Sequence, residues 1–133
     1  MASELRVTTI ANNAGSESVD TTYVVNGSAK AWSSHELSGT ASTYDSFNMS
    51  SLTDDGQGKS DLAFTNSFSN GTDYSATGMG YQASGATAYS SSMFYGANRN
   101  AGSCEFWSVY ANAGFADWHD FVRGSVTIHG DLA

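Results

Sequence analysis

Apolar residues alternate with small polar ones along most of the chain, which is the period of a half-buried strand rather than of a helix. "ELRVTTI" alternates Leu5, Val7 and Thr9 and predicts a first strand or an extended arm. "NNAGSESVD" reads as a polar connector, and "TTYVVNGSAKAW" as an extended segment ending at Trp32. "YDSFNMSSL" alternates Phe47 and Met49 until Ser50 and Ser51 shift the phase before Leu52, which predicts a β-bulge. "SDLAFTNSF" carries Leu62 and Phe64 in strand phase. "NGTDYSATGMGYQ", with Tyr74, Ala76 and Tyr81, and "ATAYSSSMFYGA" predict two further strands, the first of them rich in glycine. "SCEFWSVYAN" sets Cys104, Phe106 and Tyr110 on one face and Trp107 and Val109 on the other. Both faces being apolar, that strand is expected at the centre of two layers or at a subunit contact. "GFADWHDF" reads as a short loop or helical turn, and "VRGSVTIHG" brings Val122, Val126 and Ile128 into phase. Turn signals recur about every 8–12 residues and no segment carries three turns of helical pattern, the spacing of an all-β fold. The expected architecture is a single antiparallel β-sandwich, jelly-roll-like, over residues 26–133, preceded by an extended anchoring arm over residues 1–25. Trp32, Phe47, Phe64 and Phe106 are the expected core.

Composition narrows the function. Gly, Ser, Thr, Asn and Tyr are prominent, proline is absent and only 14 % of residues are charged, a β-rich alphabet. The net charge of −8 opposes a nucleic-acid surface, which needs clustered Lys and Arg. No apolar run approaches the roughly 18 residues of a membrane-spanning helix. The single Cys104 excludes an internal disulfide, and "MASELRVTTIANN" shows no export signal.

One loop carries three readings. In "LTDDGQGKSDLAFT" the Gly58-Lys59-Ser60 triplet looks like the end of a phosphate-binding loop, but Thr53 stands where that loop needs its first glycine. An EF-hand started at Asp54 or Asp55 places Gly56 and Gly58, or Gln57 and Lys59, where oxygen ligands belong. A surface site on Asp54, Asp55 and Asp61 is the remaining metal reading. A β-hairpin tip built on Asp-Gly accounts for the segment with no ligand.

Candidate chemistry is sparse. Asp117, His119 and Asp120 could ligate a metal, or His119 could act as a base beside an acid; a solvated loop is the plainer reading. His35 and His129 stand isolated, and Cys104 lies in an apolar strand where a cysteine packs as a small hydrophobe. No catalytic residue, cofactor or metal is expected. The aromatics Tyr81, Tyr89, Tyr95, Trp107, Tyr110 and Trp118 form the second signal, as core, as a stacking surface for sugar, or as a protein contact.

Read in order, "LRV", "GSAKAW", "DSFNMSSLTDDGQG", "NGTDYSA" and a terminal "VTIHGDLA" run nearly the length of the chain. This series resembles a family of small virion proteins of tailed bacteriophages, marine ones especially, which also occur as modules of tail-fibre-like proteins. The likeness is strongest at Ala29–Trp32, Asp45–Gly58 and Gly130–Ala133; "SSHELSGTAST" and "KSDLAF" depart from it, and residues 82–116 resemble nothing in the family. The resemblance implies a non-enzymatic structural role on the particle exterior, as a capsid decoration protein or short head fibre, with the major capsid protein or other virion proteins as partners. The alternative is a tail-fibre protein that binds a host surface glycan. A homotrimer is expected, partly from the resemblance and partly from the two-sided apolar strand Phe106–Tyr110. Leu5, Val7, Trp107, Tyr110 and Trp118 are the candidate contact residues.

Overall fold

The computed structural model describes the backbone of residues 6–84, 87–112 and 115–133, and their side chains outside 81–97 and 110–117. Eleven strands and one helix are seen among these residues: β1 (Thr9–Ala11), β2 (Ser18–Asp20), α1 (Thr21–Gly27), β3 (Ala31–Glu36), β4 (Ser42–Phe47), β5 (Met49–Asp54), β6 (Lys59–Phe64), β7 (Tyr74–Ser84), β8 (Thr87–Ala97), β9 (Ser103–Asn112), β10 (Phe115–Trp118) and β11 (Arg123–Gly130). Nine of the strands make one antiparallel sheet in the order β4-β3-β11-β7-β8-β9-β6-β5, with β10 paired to β9.

The two ends of that order are consecutive in the chain. Only Asn48, at φ 56, separates β4 from β5. Its side chain accepts from the Asn66 backbone N–H at 2.7 Å and donates to the Asn66 carbonyl at 3.1 Å, which holds a left-handed residue at the fold-over. The sheet thus doubles back into an all-β sandwich. The inner faces of β3, β7 and β11 meet those of β6 and β9 in a cluster of Ala31, Leu62, Phe64, Phe68, Tyr74, Cys104, Phe106, Val126 and Ile128.

Strict alternation explains β6, where Ser60, Leu62 and Phe64 are buried and Lys59, Asp61 and Ala63 lie half-out. The bulge expected near Ser50 is present as a register shift between Met49 and Ser51. The Asp54–Lys59 stretch is a hairpin turn, with Gly56 and Gly58 at φ 110 and 69 and Asp54 Oδ1 accepting from the Gly56 N–H at 2.9 Å.

Four expectations are corrected. Thr21–Gly27 is helix, not extended chain: Asp20 caps it by accepting from Thr22 N–H at 2.7 Å, and the Thr21 hydroxyl ties it back to the Val7 and Thr8 carbonyls. The N-terminal segment is accordingly a short β1–β2 hairpin followed by α1, and the expected boundary at residue 25/26 falls inside that helix. Phe115–Trp118 is a strand, because pairing with β9 satisfies its backbone. Phe47 is 53 % exposed and Trp32 half-buried; the two sit opposite each other on the outer face, since β3 turns Ala31, Ser33 and His35 inward.

Candidate functional site

The outer face of the β6–β9–β10 layer carries the densest chemistry among the described residues. Lys59 on β6 stands directly opposite Trp107 on β9, and Trp118 on β10 opposite Val109. Inward burial of Ser60, Leu62, Cys104, Phe106 and Ser108 fixes this phase and turns Lys59 and Trp107 outward. The two indoles meet edge to face with centroids 5.0 Å apart, and the Lys59 ammonium lies 5.3 Å from Trp107 and 5.6 Å from Trp118. Trp118 is 40 % exposed. Such an assembly is an amphipathic platform, with apolar ring surface and one cation at its rim.

One step along the same strands, about 7 Å away by strand rise, Asp61 faces Glu105. With Asp55, Asn98, Asn100 and Ser103 they line a surface cleft of about 200 Å³. Partial burial, then the neighbouring carboxylates Asp55 and Glu105, raise the Asp61 pKa against a lowering hydrogen bond from Ser103. Asn98 donates to Glu105 and Asn100 donates to the Asn98 carbonyl, so the cleft wall is tied together. No three His, Cys, Asp or Glu side chains among the described residues are grouped to hold a metal ion.

Within the loop constellation of Asp117, His119 and Asp120, two members are engaged by the backbone. Asp120 Oδ1 accepts from the Gly58 N–H at 2.6 Å, and the His119 N–H donates to the Ser108 carbonyl at 3.1 Å. The Asp117 side chain lies outside the described residues. Cys104 is sealed in the core opposite Leu62, where burial pushes its thiol up to about 11 and disfavours the thiolate a nucleophile needs. Tyr74 beside it is likewise raised by burial, and its hydroxyl lies 3.2 Å and 3.1 Å from the Asn100 and Ser103 carbonyls.

Of the candidate contact residues, Trp107 and Trp118 are brought together. Val7 sits apart on the N-terminal segment, exposed. Leu5 and the side chain of Tyr110, like those of Tyr81, Tyr89 and Tyr95, lie outside the described residues. Sequence reasoning missed Lys59 as the cation of this platform and missed His35, which is wholly buried. The phase Ala31-x-Ser33-x-His35-x-Leu37 was the available signal, because Leu37 is also buried.

The second surface is the N-terminal segment. Val7, Ile10, Val19, Tyr23, Val24 and Val25 are all exposed, Tyr23 to 75 %, and α1 has no buried residue. The segment joins the sandwich where His129 Nδ1 donates to the Gly27 carbonyl at 3.1 Å and the Lys30 N–H to the Ile128 carbonyl at 2.8 Å. Comparison with family models, with curated proteins and with solved structures returns no match to this chain.

Proposed function

We propose that this chain is a non-enzymatic structural protein of the exterior of a tailed-phage particle, a capsid decoration protein or short head fibre, attached through residues 6–27. The observation that carries the reading is the N-terminal segment. Two three-residue strands and a seven-residue helix leave their large apolar side chains in water. A lone two-stranded hairpin and a helix this short are each marginal by themselves, so the segment gains its order by packing on another surface. The resemblance to phage virion proteins names that surface as the major capsid protein or another virion protein, and favours a homotrimer. An edge-strand addition through β1 or β2 would use main-chain hydrogen bonds for affinity.

The test is a chain that starts at Ser28. It is expected to fold, and to fail to bind particles stripped of the protein, while the full chain rebinds. Full-strength binding by the shortened chain would refute the attachment role. Labelling in purified particles then separates many copies over the shell from a few at the tail.

A second reading, a fibre protein binding a host-surface saccharide, is favoured by one observation: the Lys59–Trp107–Trp118 platform lies beside the Asp61–Glu105 cleft. Indole faces stack on the C–H face of a pyranose while carboxylates and amides take its hydroxyls. Under this reading Trp118→Ala lowers host adsorption and leaves attachment intact. Under the decoration reading adsorption per intact particle does not change.

A further inference from the structure

In the β1–β2 hairpin the main-chain hydrogen bonds alternate. The Asn12 N–H donates to the Glu17 carbonyl at 2.9 Å, and the Thr21 N–H donates to the Thr8 carbonyl at 2.9 Å. Between them Thr9 lies opposite Asp20, Ile10 opposite Val19 and Ala11 opposite Ser18. In an antiparallel pair every second residue is a bonded one. Thr8, Ile10 and Asn12 therefore turn their main-chain groups to β2, and Thr9 and Ala11 turn theirs away from it. β1 presents an outer edge of two N–H and two C=O groups, on two exposed residues. The opposite edge is shorter. Ser18 and Asp20 point outward there, but Asp20 is the N-cap of α1 and its carbonyl is taken by the first turn of that helix. Ser18 is left as the residue of β2 with both groups turned outward.

We propose that the outer edge of β1 is the contact itself: the partner adds an extended strand of its own to Thr9–Ala11, with one apolar side chain seated beside Ile10. The inference rests on the attachment reading above and names the contact within it.

An edge strand is a template for pairing unless it is blunted by charge, proline or a bulge. The two terminal strands of the sandwich's sheet are blunted in this way. The β3–β4 register shifts at Ser34/His35 and β4 carries Asp45, while the β5–β6 register shifts at Met49/Ser51 and β5 ends on Asp54. β1 has the sequence Thr9-Ile10-Ala11, with no charge, no proline and no shift in register. β2 follows Glu17 and carries Asp20. The side chains favour the same edge. Ile10 and Val19 stand opposite each other, 50 % and 39 % exposed, at a surface groove of about 370 Å³ lined by Ala11, Asn12, Glu17 and Ser18 as well. An apolar side chain set opposite Ile10 would continue that pair across a third strand. The Thr21 hydroxyl accompanies this by pinning the start of β1 to α1, donating to the Val7 and Thr8 carbonyls at 3.0 and 3.1 Å. Alternating donors and acceptors at strand spacing select an extended backbone as the occupant.

Proline at an outward position removes one N–H and sets its ring in the path of an added strand, while the inward bonds of the hairpin are kept. Rebinding of the full chain to particles stripped of the protein is expected to weaken about tenfold or more in Thr9→Pro and in Ala11→Pro. Ser18→Pro, on the other edge, and Thr9→Val, which changes the side chain but keeps the N–H, are expected to rebind within about twofold. Amide exchange in the bound, unaltered chain is expected to slow at Thr9 and Ala11 and not at Ser18. If Thr9→Pro and Ser18→Pro lose binding equally, that exchange pattern decides, and slowing at Ser18 or at neither strand overturns the proposal. Full rebinding by Thr9→Pro, while the chain that starts at Ser28 does not bind, overturns the β1 contact and leaves the attachment reading standing. Full rebinding by the Ser28 chain overturns both. Self-association of the free chain that Thr9→Pro alone abolishes would place a second copy on this edge and would also overturn the proposal.

Discussion

The two ends of the sandwich are closed by different means. At one end Phe64, Phe68 and Tyr74 pack ring on ring, with centroids 4.6–5.9 Å apart, and the C-terminal residues lie across them through the Phe68–Leu132 bridge. At the other, the buried inward positions among the described residues include Ser33, His35, Ser60 and Ser108, with Leu37 and Phe121 also buried. The first end is held mainly by apolar burial, the second by backbone hydrogen bonds over a neutral imidazole. Their titratable groups differ in the same sense. Cys104 and Tyr74 are kept protonated by burial and change charge only in alkali, whereas His35 is kept neutral and changes charge in acid. Acid and alkali should therefore loosen opposite ends of one small fold.

The largest expected effect is at the aromatic end. Phe68→Ala removes a fully buried ring and should cost about 3–5 kcal/mol in denaturant unfolding. A loss below about 1 kcal/mol would mean that this end is not held by packing. Next comes the pH dependence of the other end. With His35 at about 4 folded and near 6.5 unfolded, stability should be undiminished above about pH 6.5, fall as pH drops towards 4, and level off below. The full fall is on the order of 3 kcal/mol, and urea titrations across that range in the unaltered chain and in His35→Gln would measure it. A flat profile would remove the acid half of the comparison.

Gly58→Ala should follow, at about 2 kcal/mol, because it combines a positive φ with a backbone clash against Ser108 and His119. The same change at Gly56, where open space surrounds the site, should cost only its φ strain. Equal melting temperatures for the two variants would show that the tip does not press on Ser108 and His119. Smallest is the double change Asp54→Asn with Asp55→Asn. Asn keeps the turn geometry, so the melting point should move by no more than a degree or two and should not respond to calcium chelation.

These contrasts were unevenly legible in the sequence. Alternation placed Leu62, Phe64, Phe106, Val126 and Ile128 inward, and the Ser50-Ser51 phase slip gave the bulge, because those signals are local. α1 was hidden by Tyr23, Val24 and Val25, β-formers whose helix depends on one capping aspartate and on Thr21 reaching back to Val7 and Thr8. β10 was hidden because four residues are too few to establish a period. Trp32 drew the phase of β3 the wrong way; the face that turns inward there is polar, and only its cover by Phe121, some 90 residues later, makes His35 a core residue. The site is partly legible on the same grounds. Trp107 and Trp118 were named from composition, but their meeting with Lys59 depends on cross-strand register.

Cys104 also equips the molecule with a clock. A lone thiol with no exposed surface reacts with an alkylating reagent only when the chain around it opens. It sits in the cluster with Tyr74 and Leu62, so its labelling rate counts openings of that cluster, local or global. Under reagent excess, at a pH where the opened thiol ionises, that rate approaches the opening rate itself. A single buried sulfur thus lets the opening of the core be timed in one unmodified protein.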